Sequence, residues 1–341
     1  MRRVTLANLL GVVLSWVAIT GANPAPCRGD PWGGPRAATR DVPTSQVAES
    51  GALEIANRGM SKLMDGDFDA ATEAFRQIQQ SDPESPLGYL LEADESWWKI
   101  YLTEGDLVDP DVFEALSEAP TAYDDDFRRS DDLAIRKAEM RLQAHQDEAR
   151  SYFYTGLAYG LRAELEALRD HALATARAGK KMRNLSLAAL KLDPGLNDAW
   201  FGVGLYNYFV DTLPTYVKML RFLILLPGGD RLEGLGQMEQ AMDKGQLVPA
   251  EAKFHLAKNY SRSIDRQYAR SLELFRQMQQ QHPPNPLWKL LVGSVELRMG
   301  NVKGGEALYR QVVAETALPS AEIWKPLHQQ AERALARRSG R

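Results

Sequence analysis

From Val47 onward, small and apolar residues recur along this chain at three-and-four spacing, the period of a helix face. Ala52, Leu53, Ile55, Ala56, Gly59, Met60 and Leu63 make the first stripe. Asp65-Gly66-Asp67 interrupts it, and Phe68, Ala71, Phe75 and Ile78 make a second stripe that Asp82-Pro83 ends. Ser85-Pro86 and Asp109-Pro110 have the form of a cap followed by a first helical turn. The span from Tyr123 is acidic and then helical, and residues 157 to 192 suggest two helices longer than those of a standard helical repeat. A closing helix is expected from Ala321 to about Arg337, with a polar, basic outer face suited to a terminal cap. Nowhere does apolar and polar alternation run long enough for a strand. The expectation is an all-α chain.

The first two stripes resemble a tetratricopeptide repeat, with small Gly59, the turn Gly66-Asp67-Phe68, then Ala71, Phe75 and Pro83. Two short helices approach closely only where a small residue sits at the crossing and larger ones fill the flanks. The signature recurs. Tyr152, Gly156 and Tyr159 mark one helix, and Leu192-Asp193-Pro194 ends its partner. Trp200, Val203 and Gly204 open another pair, and Leu256, Ala257 and Tyr260 a third that Tyr268, Ser271, Phe275, Met278 and Pro283 complete. The last has Gly293, Gly300-Asn301-Val302, Gly305, Tyr309 and Val312. Repeats of unequal length imply an irregular helical-repeat solenoid over residues 47–340.

The stretch from Leu196 to Glu233 stands apart. Trp200, Phe201, Gly202, Gly204, Tyr206 and Tyr208 interleave small and aromatic residues, and a turn at Thr212-Leu213-Pro214 leads into an apolar helix, Leu213 to Leu226, stopped by Pro227-Gly228-Gly229. Gly202, Gly204, Tyr206, Asn207, Leu213, Pro214, Gly229, Asp230, Arg231, Gly234 and Leu235 make this segment similar to one in a tetratricopeptide family, the fungal mitochondrial outer-membrane inclusion-body-clearance proteins and their animal relatives. That resemblance implies a non-enzymatic scaffold tied to lipid handling, protein quality control or cilia. What carries over to this chain is the scaffold.

The N-terminus changes the compartment. Arg2 and Arg3 precede an apolar core from Leu6 to Ile19, and Thr20-Gly21-Ala22 suits cleavage, so residues 1–22 read as an export signal and the protein as periplasmic or extracellular. Residues 23–46 are rich in Pro, Gly and Arg and read as a tether. The prolines Pro24 and Pro26 oppose lipidation at Cys27, the single cysteine, which also excludes an intrachain disulfide and cysteine-based zinc. Of 341 residues, 44% are hydrophobic and 25% charged, an ordinary globular balance, and a net charge of −4 argues against nucleic acid as partner.

Candidate chemistry is sparse. His145, His171, His255, His282 and His328 form no metal-binding spacing and read as surface or groove residues. Gly202-Val203-Gly204 follows no strand and fits helix packing better than dinucleotide binding. Asp124, Asp125, Asp126, Asp131 and Asp132 lack the glycine and closing glutamate of a calcium loop and read as a solvated helix start. No acidic pair stands out for acid–base work. The expectation is therefore no catalytic site, no cofactor and no metal. Gly59, Ala71, Phe75, Gly156, Tyr159, Gly204, Phe275, Gly293 and Tyr309 are expected to pack repeat on repeat. Trp97, Trp98, Tyr101, Tyr154, Tyr206 and Tyr208 are candidates to line a concave groove and hold a protein or peptide partner. The alternative is a binder of lipid or another hydrophobic ligand through the apolar helix 213–226.

Overall fold

The computed structural model describes residues 44–112, 119–213, 225–317 and 322–339. The expected export signal, the expected tether up to residue 43 and residues 214–224 of the expected apolar helix lie outside these described residues. The helices are α1 (Thr44–Asp65), α2 (Phe68–Ser81), α3 (Leu87–Glu104), α4 (Asp124–Gln143), α5 (Glu148–Leu168), α6 (Ala172–Leu192) and α7 (Ala199–Thr212). They continue with α8 (Arg231–Lys244), α9 (Pro249–Tyr260), α10 (Tyr268–Gln281), α11 (Pro286–Arg298), α12 (Val302–Thr316), a short 3-10 turn (Glu322–Trp324) and α13 (Lys325–Ser339). The described residues contain no strand. Asp109 makes a turn rather than a helix start, its carboxylate accepting from the Asp111 N–H at 3.0 Å. The first helix begins at Thr44 rather than Val47, and the last begins at Lys325.

Local chemistry sets the boundaries. Gly66 and Gly300 carry the chain out of α1 and α11 at φ of 78° and 87°, where a Cβ would strain. Asp67, Asp230, Asn285 and Asn301 then cap the helices that follow, each side chain accepting from a first-turn N–H.

Consecutive described helices pack on one another, and small residues set the closest crossings. A Cβ on Gly204 of α7 would stand 2.7 Å from the Gly234 carbonyl of α8, and one on Gly234 would stand 2.7 Å from the Gly204 carbonyl. The same arrangement joins α11 to α12, where a Cβ on Gly305 would meet the Gly293 carbonyl at 2.7 Å. Gly59 rests against the Phe75 ring and Gly156 against Ser186. Ala71, Phe75, Phe275 and Tyr309 are buried, while Tyr159 is half-buried beneath Lys181, whose Nζ lies 4.3 Å from its ring centroid.

Distant parts of the chain also meet. Trp288 Nε1 and Asn285 Nδ2 each donate to the Met64 carbonyl at 2.9 Å, joining α11 to the end of α1. Gln330 of α13 accepts from the Leu107 N–H at 2.9 Å and donates to the Gly105 carbonyl at 3.0 Å, closing over the end of α3. Helices α3, α5 and α9 consequently face a shared interior.

Candidate functional site

That interior divides in two along α3. Toward its C-terminal end lies an aromatic cluster. Trp97 stacks on Tyr101 with centroids 5.2 Å apart and planes 4° apart. Trp98 meets Phe254 of α9 at 4.8 Å and Trp288 of α11 at 5.9 Å. The Tyr101 hydroxyl accepts from Lys258 Nζ at 2.8 Å. Such rings gain about 0.5–1.5 kcal/mol per pair beyond their area burial.

All six aromatic residues proposed for partner contact are buried. Trp97, Trp98 and Tyr101 fill the cluster just described. Tyr154 lies against Phe153 at 5.4 Å, and burial pushes its hydroxyl up to about 12. The Tyr206 hydroxyl donates to the Pro227 carbonyl at 2.8 Å, and the Tyr208 hydroxyl donates to Asp265 at 2.6 Å. Spacing alone could not distinguish an aromatic facing a groove from one filling it, because both lie on the inner face of a helix.

One to two turns earlier on α3 the interior is polar. Asp94 and Trp97 of α3, Glu164 of α5, and Glu251 and His255 of α9 line a cavity of about 50 Å³, walled elsewhere by Met60, Leu91, Leu161, Met182, Phe201 and Leu247. Helical spacing accounts for the convergence. Asp94 and Trp97 are three apart, Glu251 and His255 four apart, and Leu157, Gly160, Leu161 and Glu164 keep one face of α5 inward.

The contacts inside the cavity are incomplete. Glu251 Oε1 accepts from Trp98 Nε1 at 2.9 Å. His255 Nε2 stands 3.5 Å from Glu164 Oε1, with its ring edge-on to Phe201 and Phe254 at 5.4 and 5.2 Å. Asp94 is 6% exposed and has no hydrogen bond or ion pair among the described residues, and the buried Trp97 Nε1 has no acceptor among them. Its neighbour Glu95 differs sharply, with an ion pair to Lys99 and a hydrogen bond from Thr72 at 3.2 Å.

Burial governs the charges. Burial, then the charges of Glu251, Glu164 and Glu95, raises the Asp94 carboxyl well above the usual range. Burial, then Glu251, pushes Glu164 up to about 8 against the pull of Lys258. Burial pushes Glu251 up to about 7, with the Trp98 hydrogen bond opposing. Burial, then Lys258, pushes His255 down to about 3, so its imidazole is neutral. Glu164 keeps 24% of its side chain accessible, the most of the four. All three carboxyls hold their protons more tightly than exposed ones, beside a neutral imidazole, because several negative charges are costly to keep together in one apolar pocket.

His255 corrects the surface-or-groove reading of the histidines, and the acid cluster corrects the view that no carboxylates stand apart. The α4 acids are also more than a solvated start. Asp124 is buried in an ion pair with Arg169 at 2.7 Å, and Asp131 is paired with Arg162, with burial pushing it up to about 6. Among the described residues no group of three or more ligating side chains converges as a metal site. None of the described helices is long and apolar enough to cross a membrane. No protein-family model matches this chain, and no curated protein matches it at significant similarity.

Proposed function

We propose that this chain is an exported, non-enzymatic, tetratricopeptide-like scaffold that docks a protein partner. The observation that carries the reading is the use of the inner aromatics as core, which leaves the outer surface for recognition. There, Leu225 is 76% and Leu232 66% exposed, the first at the end of the apolar 213–226 stretch and the second six residues beyond it. Exposed leucines so close in sequence to an apolar helix favour an apolar partner surface. The groove once assigned to Trp97, Trp98 and Tyr101 is therefore replaced by this outer edge. The buried acids are what an enzymatic reading would use, but a cavity of about 50 Å³ leaves little room beside them, which supports the scaffold reading.

Site-specific photo-crosslinking at position 232 of the secreted chain tests this in its own envelope. The reading predicts one dominant protein adduct, lost in a Leu225→Glu/Leu232→Glu variant whose helicity and Tm match the wild type. Lipid adducts alone, or an adduct that the double substitution leaves unchanged, would overturn it. The lipid result would favour the alternative, a hydrophobic-ligand or membrane contact through the same stretch.

A further inference from the structure

On α4, Arg128 pairs with Glu166 at 3.6 Å and Lys137 with Glu84 at 3.5 Å. On α5, Arg150 pairs with Asp147 at 4.0 Å and Arg162 with Asp132 at 2.7 Å. Helix α6 breaks this pattern. It carries Arg177, Lys180, Lys181, Arg183 and Lys191 and no acid. Among the described residues, Lys180, Lys181, Arg183 and Lys191 stand in no ion pair. Lys181 donates to the neutral Tyr159 hydroxyl at 2.9 Å, and the Arg183 guanidinium lies over the Tyr206 ring, 5.4 Å from its centroid.

Helical spacing gathers most of these charges on one side. Arg177, Lys180, Lys181, Asn184, Ala188 and Lys191 lie at i, i+3, i+4, i+7, i+11 and i+14, turned away from the buried Ala178, Met182, Ser186 and Ala189. All six are exposed or half-buried. The strip is about 21 Å long at the rise of an α-helix. Leu187 and Leu192 flank it, the second 51% exposed. Like charges this close repel one another unless an anion meets them. A compact anion needs converging donors, whereas these cations are strung out along one helix. A layer of anionic headgroups meets them all at once. The lysine stems and the flanking leucines then lie toward the acyl boundary while the ammonium groups stay at the phosphates. We propose that the outer face of α6 rests on an anionic lipid surface. This contact is independent of the Leu225 and Leu232 edge and of the partner docked there.

Co-sedimentation of the full chain with phosphatidylcholine vesicles, with and without about one third phosphatidylglycerol, tests this. The readout is the difference between the two vesicle types, to which the apolar residues 6–19 contribute equally. At low ionic strength the anionic vesicles are expected to bind at least about 10-fold more tightly, an advantage that added salt erases. Lys180→Gln/Lys181→Gln/Lys191→Gln removes most of that advantage, and Lys180→Arg/Lys181→Arg/Lys191→Arg retains it. Lys244→Gln/Lys303→Gln/Arg333→Gln takes the same charge from exposed positions on α8, α12 and α13 and retains it too. All variants are compared at matched helicity and Tm. Equal binding of wild type to neutral and anionic vesicles overturns the proposal, whatever the variants do. Equal loss in the two glutamine triples also overturns it, because net charge alone then explains the preference. Binding of soluble polyglutamate through α6, with no preference for anionic vesicles, overturns it in favour of an acidic protein segment.

Discussion

Helix α3 passes through two environments that differ in how completely their polar atoms are matched. At Trp98 and Tyr101 each polar atom has a partner: Glu251 for the indole and Lys258 for the phenol. At Asp94 and Trp97 neither the carboxylate nor the indole nitrogen is paired among the described residues. The first environment consists of rings at 4.8 to 5.9 Å from one another across α3, α9 and α11. The second is a cavity with three acids. The contrast separates what holds this fold together from what the fold holds in reserve. Paired aromatics stabilise, whereas unpaired acids are tolerated and carry a pH-dependent penalty.

The largest effect that can break the comparison lies in the aromatic half. Trp98→Ala removes contacts to Phe254 and Trp288 and leaves Glu251 without its donor. Urea denaturation is expected to report a loss of about 3–5 kcal/mol. A loss under about 1 kcal/mol would mean that the cluster is not a framework at all.

Next comes the crossing of α7 and α8. Gly204→Leu would drive a side chain into the Gly234 carbonyl and Met238, with an expected cost of about 3 kcal/mol. Gly236→Ala on the same α8 has nothing within 4 Å of its added carbon and should be neutral or slightly stabilising. Thermal melts of the two variants side by side distinguish a close crossing from a general intolerance of α8.

The acid half is expected to respond to pH. Glu164 and Glu251 have folded pKa values raised above 4.5, to about 8 and about 7, so the folded protein binds more protons than the unfolded chain between these limits. Their contribution is fully present below pH 4.5 and is lost as pH rises through 7 and 8. His255 acts in the opposite sense, its stability contribution falling as pH drops from 6.5 toward 3. Melting temperature should therefore decline from mildly acidic conditions toward pH 9. Glu164→Gln should flatten that decline, raising Tm at pH 9 by on the order of 3–6 °C. An unchanged slope in this variant would remove Glu164 from the cluster's energetics.

The smallest effect belongs to the surface. Leu232→Ser at a 66% exposed position should change stability by less than about 0.5 kcal/mol in the same denaturation assay.

Much of the fold could be read from residue order, and the reason is local. The stop at Asp65-Gly66-Asp67, the start at Phe68 and the second turn at Gly300-Asn301 depend on backbone preferences that a few adjacent residues determine. Glycine crossings such as Gly293 of α11 against α12 and Gly59 of α1 against α2 follow from the same reasoning. The site was not legible in this way. Asp94 lies in a helix that also carries Glu92, Glu95, Lys99 and Glu104, so one more acid there reads as a solvated position. Its meaning comes from Glu164, 70 residues on, and Glu251, 157 residues on, and only tertiary packing brings them together. A faint signal did exist. Asp94 sits between Leu90, Leu91 and Trp97, Trp98, and an acid on such a continuous apolar helix face is a reason to look for a partner.

The most direct test is a carboxyl carbon-13 NMR titration of the full chain, with Glu164 and Glu251 assigned through Glu164→Gln and Glu251→Gln. The two resonances are expected to titrate near 8 and 7. Titration of both below about 5, the ordinary range for an exposed glutamate, would contradict it. The interior would then be wet and open, and the distinction between the two halves of α3 would fail.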